Sequence, residues 1–285
     1  MKLTFLGTAA ATSYPLAFCM CEYCMEARAR GGKNFRKRSS LLINDDLLID
    51  FGPDVLSASF EQNISIANIK FLLQTHSHSD HFDGSHLTTR IPEYMGRNIP
   101  ELQLFASEAT LIRMSEMVAN EGYISTLFTH DEQKRLNIEV TKVEKHIPFS
   151  VGNYSVVAFS ANHDLAVDPL LFSITEGNST IFYGTDTDVL DEETWKAFHN
   201  LKLKFDLIIL DHTYGLNADS GGHLNANRFI EHINRMKEEK LTKQNARFFA
   251  THLSHEGNPP HEELSEFGKQ HGYEIAYDGL ILHCP

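Results

Sequence analysis

The run His76-Ser77-His78-Ser79-Asp80-His81 constrains this chain more than any other six residues. Three imidazoles and a carboxylate packed this tightly would repel one another on protonation and add nothing to an apolar core. They suit borderline divalent metals, which prefer imidazole nitrogen and carboxylate oxygen. The run follows Phe71-Leu72-Leu73-Gln74-Thr75, which reads as a buried strand. Alternate residues of an extended segment share a face, so His76 and His78 address one centre. Asp80 and His81 fall where the chain turns into a helix and address a second. The pattern predicts a strand end carrying a dinuclear metal site and, with it, metal-assisted hydrolysis.

Other residues occupy the same kind of place. His163 follows Tyr154-Ser155-Val156-Val157-Ala158-Phe159, and Asp186 follows Thr180-Ile181-Phe182-Tyr183-Gly184. Asp211 ends Leu207-Ile208-Ile209-Leu210, and His252 follows Arg247-Phe248-Phe249-Ala250-Thr251. Each run has the apolar, β-branched or aromatic character of a strand. If those strands share a direction, their ends form one edge where every candidate ligand gathers.

A chain of 285 residues that is 42% apolar has material for a sizeable core. It shows no linker, low-complexity tract or internal repeat, so a single domain over residues 1–285 is expected. The formal charge of −13 argues against a broad nucleic-acid face, which needs clustered Lys and Arg. No apolar stretch approaches a membrane span, and Met1-Lys2-Leu3-Thr4-Phe5-Leu6-Gly7 reads as a first strand rather than a signal segment. The expected compartment is the cytoplasm. Cys19, Cys21 and Cys24 then stay reduced, and their spacing lets one loop wrap a tetrahedral zinc that needs one more ligand. Cys284 is left over as a plain thiol.

The rest of the chain reads as alternating strands and helices. Ser39 to Ile43 and Leu47 to Asp50 form a hairpin about Asn44-Asp45-Asp46. Helices are expected from Pro53 to about Glu61, from the N-cap Ser107 to Asn120, after Asp191, over Leu224 to Lys240, and from Pro260 to near Gly272. Residues 136–183 read as successive strands, and a final strand pair occupies about 273–283. Two β-rich halves, each followed by helices, imply two face-to-face sheets with helices outside.

These motifs resemble the metallo-β-lactamase superfamily, an α/β (α+β) class with a four-layer αββα sandwich. The resemblance rests on the His-x-His-x-Asp-His run with His163, Asp186 and His252, and spans nearly the whole chain. Leu6-Gly7-Thr8-Ala9-Ala10, Leu48-Ile49-Asp50-Phe51-Gly52 and Asp211-His212-Thr213 also fit it. Within the superfamily, the Cys19, Cys21, Cys24 loop followed by Ala27-Arg28, with the closing Thr251-His252-Leu253-Ser254-His255, is similar to the PhnP-like cyclic phosphodiesterases of the carbon–phosphorus lyase type. The resemblance implies that His76, His78 and His163 hold one metal and that Asp80, His81 and His252 hold the other, with Asp186 bridging. It implies that His255 completes a structural zinc with the three Cys. It gives His223, in Gly221-Gly222-His223, the role of proton donor or phosphate partner, and puts Asp50 and Asp211 behind the ligands. The catalytic metals are expected to be zinc or manganese, the substrate a small cyclic or nucleotide-like phosphodiester, and the assembly, by the resemblance alone, a homodimer.

Alternatives on the same fold are a PqqB-like cofactor-biosynthesis protein, a tRNase Z-type nuclease and a glyoxalase II-type thioesterase. The first also carries a Cys-x-Cys-x-x-Cys loop. The nuclease would need a Gly/Lys-rich arm that is not evident here, and the thioesterase would not be expected to carry the three-Cys loop. A non-enzymatic, metal-stabilised interaction module would keep the Cys cluster without needing all seven other ligands. Two features stand apart from the motif. The segment Ser107 to Asn120 is a candidate wall for the substrate cleft. The basic run Lys33, Arg36, Lys37, Arg38 reads as a solvated loop, or as a phosphate attractor if it lies near the mouth. Of the other histidines, His86, His130, His146, His199, His232, His261, His271 and His283 lack ligand spacing, and His212 could face either way.

Overall fold

The computed structural model describes residues 1–94 and 97–285. Six strands come first: β1 Lys2–Gly7, β2 Ser40–Ile43, β3 Leu47–Ile49, β4 Phe71–Leu73, β5 Leu102–Ala106 and β6 Ile138–Lys142. Seven more follow: β7 Phe149–Val151, β8 Tyr154–Ser160, β9 Leu170–Glu176, β10 Ser179–Gly184, β11 Phe205–Asp211, β12 Thr242–Thr251 and β13 Glu274–Ile275. The last, β14 Ile281–His283, returns to pair with β1. The two sheets run β14-β1-β2-β3-β4-β5-β6 and β13-β12-β11-β10-β9-β8-β7. The helices are α1 Glu22–Arg30, α2 Val55–Glu61, α3 Gly84–Thr88, α4 Glu108–Asn120, α5 His130–Leu136, α6 Glu192–Asn200, α7 Ala226–Glu238 and α8 His261–His271.

Strand alternation builds the layers. In β2, Leu41 and Ile43 face the second sheet, whereas Leu42 joins the outer cluster with Val55, Leu111 and Met114. In β11, Leu207 and Ile209 enter the inter-sheet core, whereas Ile208 and Leu210 pack outward with Trp195, Phe229 and Leu264. Helices thus cover both outer faces, and the order of layers is αββα. Strands this apolar on both faces are what buried sheets require.

The caps read at Ser107 and Asp191 act as such, whereas α2 starts at Val55, beyond Pro53, and α7 starts at Ala226 behind a cap, Asn225, that was not singled out. Ser107, Asp191 and Asn225 each accept a hydrogen bond from a first-turn backbone N–H. The reading of residues 273–283 as a strand pair is corrected: β13 adds to β12 in parallel, while β14 crosses to β1 in the other sheet. The two short strands close different sheets. Nor does α4 wall the cleft. It packs on α3, and its Thr110 hydroxyl donates to the Val167 carbonyl oxygen (2.7 Å) beneath the 165–167 turn. No described helix is long and apolar enough to cross a membrane.

Candidate active site

The parallel strands of both sheets end on one edge. β3 and β4 pair Ile49 with Leu73, and β10 to β12 pair Gly184 with Leu210 and Asp211 with Thr251. Asp50, His76, Asp186, Asp211 and His252 therefore emerge at or just past the carboxyl ends of parallel strands, where such sheets leave a crevice. Asp50, Asp186 and His252 adopt left-handed backbone, with φ of 63°, 52° and 57°. That conformation costs a non-glycine residue roughly 1–3 kcal/mol, so the surrounding bonds must hold it. An added Cβ at Gly52 would lie 2.3 Å from the Asp80 carbonyl oxygen. Only glycine lets the Asp50-Phe51-Gly52 stretch pack against the Asp80–His81 turn.

The structure brings the seven singled-out His and Asp residues together in two groups. One is His76, His78 and His163; the other is Asp80, His81, Asp186 and His252; within each, the ligand atoms lie within 4.8 Å of one another. His78 Nδ1 is 3.1 Å from His76 Nε2 and 3.4 Å from His163 Nε2. Asp186 stands between the groups. Its Oδ2 is 3.2 Å from His76 Nε2 and 2.5 Å from His81 Nε2, and its Oδ1 is 3.0 Å from His252 Nε2.

This donor set fits divalent cations. His81 Nδ1 lies 2.7 Å from Asp50, which leaves its Nε2 facing Asp80 (3.0 Å) and Asp186 (2.5 Å). His252 Nδ1 lies 2.8 Å from the Thr213 hydroxyl, which leaves its Nε2 toward Asp186. Both Nε2 atoms are buried and lack a well-aligned hydrogen bond. Nitrogens aimed at buried carboxylates need positive charge between them, as a proton or a metal cation. The electrostatics carry the same demand. Burial alone would lower His81, yet Asp80, Asp186 and Asp50 raise it well above the ordinary imidazole range. Burial is likewise overcome at His252, which Asp186 and Asp211 raise to about 10. Burial would lift Asp80 and Asp186, but the facing histidines hold both well below the usual carboxylate range.

With this geometry in view, the family model described as the beta-lactamase superfamily domain matches residues 46–257. The chain belongs to the beta-lactamase superfamily. Several solved structures share the fold at low identity. A diphosphatase from the PhnP family is 21% identical, with a TM-score of 0.68, over 99% of this chain and 96% of its own. Zinc-bound PqqB from Methylobacterium extorquens is 19% identical, with a TM-score of 0.72, over 99% and 100%. The short form of human tRNase Z is 17% identical, with a TM-score of 0.64, over 100% of both chains. No curated protein gives a significant match. The matched domain ends short of one feature: Cys19, Cys21 and Cys24 precede it.

Those three Cys meet His255 at the N-terminal end of α1, all four ligand atoms within 4.8 Å. His255 Nδ1 is 3.7 Å from Cys19 Sγ and 3.5 Å from Cys21 Sγ. Arg28 braces the loop by donating to the carbonyl oxygens of Cys19 (2.6 Å) and Leu16 (2.6 Å). Burial pushes the Cys24 thiol up to about 12, whereas the Cys21 N–H hydrogen bond lowers Cys19. A cation would draw all three into one thiolate set. Cys284 lies apart and buried.

The cleft beside the two His/Asp groups encloses about 230 Å³ and is lined by His78, Asp80, His163, Asp186, His223 and His252, among others. His223 Nδ1 is 2.9 Å from Asp211 and 3.4 Å from Asp186. Burial would lower His223, but the Asp211 charge and hydrogen bond, with Asp186 behind, raise it above its ordinary value. Asp211 also takes the Thr213 N–H (2.8 Å), and Asp50 takes the Thr75 N–H (2.8 Å).

Several residues in this frame have no motif to announce them. Gln74 donates to Asp50 (2.9 Å) and to the carbonyl oxygens of His76 (2.8 Å) and His81 (2.9 Å). Asp164 faces His78 Nε2 at 3.2 Å, and the Gly222 carbonyl oxygen faces His163 Nδ1 at 3.1 Å. Thr75 and Thr213 are the readable ones, because each is a hydroxyl within two residues of a strand-end His or Asp. His212 turns away, held by Asn258 (2.9 Å) and Tyr273 (3.0 Å). The basic run does not serve the cleft. Lys33 lies over the Tyr277 ring (4.0 Å), Arg36 is buried against Thr8 and His261, and Lys37 and Arg38 pair with Glu61 and Asp54.

Proposed function

We propose that this chain is a metal-dependent phosphodiesterase acting on a small cyclic or nucleotide-like phosphodiester. One observation carries the reading: Asp186 stands between two ligand groups, and His223, held by Asp211, faces the same small cleft. His76, His78 and His163 would hold one divalent cation, and Asp80, His81 and His252 the other, with Asp186 shared. Zinc or manganese held there would supply hydroxide near neutral pH and neutralise phosphoryl oxygens. Asp50 and Asp211 orient the ring nitrogens of His81 and His223. His223, whose protonated form Asp211 favours, donates to the leaving alkoxide or to a phosphoryl oxygen. Cys19, Cys21, Cys24 and His255 would hold a structural zinc, which the reducing cytoplasm would preserve.

The test is hydrolysis of bis(p-nitrophenyl) phosphate and a panel of cyclic diesters by metal-stripped protein and by protein refilled with manganese or zinc. Turnover restored by refilling, with a preference for a cyclic diester, is the expected result. Absence of turnover with both cleft metals bound would rule the reading out.

A further inference from the structure

The chemistry lining the rim of the cleft carries a statement about what the substrate holds beyond its reacting phosphate. The 14 lining residues are Ala10, Ala11, Thr12 and Tyr214 with the ligand-bearing segments, and they include no lysine and no arginine. They do include Glu256, which is exposed and whose carboxylate enters no ion pair or hydrogen bond among the described residues. Arg38 comes near, donating to the Ala11 carbonyl oxygen (3.1 Å), but Asp54 meets its charge at 3.5 Å.

Glu256 is not on a loose tip. An added Cβ at the next residue, Gly257, would lie 2.3 Å from the Tyr214 carbonyl oxygen, and one at Gly215 would lie 2.2 Å from the Gly257 carbonyl oxygen. The two segments therefore touch backbone to backbone. Leu216 N–H donates to the Gly257 carbonyl oxygen (2.7 Å), and Ser254 accepts from Glu256 N–H (3.1 Å) while donating to Thr213 (2.8 Å). Asn258 ties the same segments by donating to the carbonyl oxygens of Thr213 (2.9 Å) and Ser254 (3.0 Å). A carboxylate carried on this fixed backbone at a small mouth without cationic side chains repels a second anion and accepts hydrogen bonds from hydroxyl or ammonium groups.

We infer that Glu256 is a specificity residue that excludes substrates carrying a phosphate beyond the scissile diester and favours a hydroxyl-bearing arm. This rests on the phosphodiesterase reading and narrows it. It also separates this chain from the diphosphate chemistry named for one of its structural neighbours.

The experiment compares two diesters that differ by one group: thymidine 5′-(p-nitrophenyl phosphate) and its 3′-phosphorylated counterpart. Both release p-nitrophenolate. Fully metal-loaded wild type, Glu256→Gln and Glu256→Lys are assayed, with metal content measured for each. In the wild type, kcat/KM is expected to be lower by roughly tenfold or more for the phosphorylated diester, as one like-charge contact at a partly solvated site gives. Glu256→Gln should narrow that gap and Glu256→Lys should close or invert it. Calorimetry with thymidine 5′-phosphate and thymidine 3′,5′-bisphosphate gives the parallel binding readout. Equal wild-type rates, or a gap that neither substitution moves, would overturn the inference while leaving phosphodiesterase activity intact. No turnover of either diester would overturn the inference, and the phosphodiesterase reading falls with it if the cyclic panel is inert as well.

Discussion

The His/Asp cleft and the Cys loop both gather ligand atoms within a few ångströms, and one short segment, His252 to His255, feeds both. They differ in what holds those atoms in place. In the cleft, most ligands sit at strand ends and most are buried, and further residues fix the rings: Asp50 on His81, Thr213 on His252, Gly222 on His163, Asp164 on His78. In the loop, Cys21 is exposed and Cys19 half-buried, and the bracing comes from the Arg28 guanidinium on three carbonyl oxygens. The fold itself builds the cleft, whereas the loop is held by fewer bonds and would draw part of its shape from a bound cation. Preorganisation of the first kind suits chemistry, because the groups need not rearrange as charge develops. The second kind suits stapling a segment that has little core of its own.

The contrast breaks or holds first at Asp186. Asp186→Asn keeps the volume but removes the charge between the two ligand groups. Turnover should fall by at least about a thousandfold, several kcal/mol of lost charge stabilisation. Metal analysis should show loss from the cleft with the Cys-bound zinc retained. If the zinc left as well, the two regions would not be independent. His223→Ala comes next. On a diester with an alkoxide leaving group it should cost about 10²–10⁴-fold, the range for a general acid. On a p-nitrophenyl diester, whose leaving group needs no proton, the loss should be much smaller. Metal content should stay the same in both assays. An equal loss on the two substrates would make His223 a phosphate partner rather than a proton donor. Cys21→Ser should act on the other region: one zinc lost per chain, a lower Tm, and turnover reduced on the order of tenfold or less, as for a change behind the ligands. A collapse of turnover with the cleft metals still bound would show that the loop does more than staple.

The residues that the fold gathers at the cleft were legible in the sequence because metals accept few residue types, and strand ends are where such types interrupt an apolar run. Asp50 and Asp211 were legible for the same reason. The residues that orient the rings were not. Asp164 meets His78 across 86 positions, and Gly222 meets His163 through a carbonyl oxygen, a group every residue owns. The destination of short strands was equally hidden. Glu274–Ile275 and Ile281–His283 have strand character, but only the folded neighbours decide that one extends β12 and the other β1. The basic run failed as a guide because local charge density says nothing of partners. Glu61, Asp54 and the Tyr277 ring lie far from it in sequence and take up most of it.

The smallest expected effect tests the frame that both regions share. Thr8 and Ala10 bond to Leu253, between the two ligand histidines of the closing segment (Leu253 N–H to Thr8, 2.9 Å; Ala10 N–H to Leu253, 3.0 Å). Beneath them Asp278 accepts from the Thr8 hydroxyl (2.8 Å) and the Lys37 N–H (2.7 Å). Burial pushes the Asp278 carboxyl from 3.8 up to about 6, against the lowering effect of those two bonds and of Arg36. The folded state therefore binds this proton more tightly than the unfolded chain does. The group favours folding fully below about pH 3.8, and that contribution is lost as the pH rises toward 6. Asp278 as a residue keeps part of its surface in water, so the effect amounts to roughly 1–2 kcal/mol after solvent screening. Other carboxylates titrate in the same window, so the measurement is a difference between wild type and Asp278→Asn, both metal-stripped, in denaturant unfolding from pH 4 to pH 7. The wild type should lose stability relative to the variant as the pH rises. A flat difference would mean that Lys37, Thr8 and Arg36 compensate the burial of Asp278 in full, and that the frame beneath the two regions carries no stored electrostatic cost.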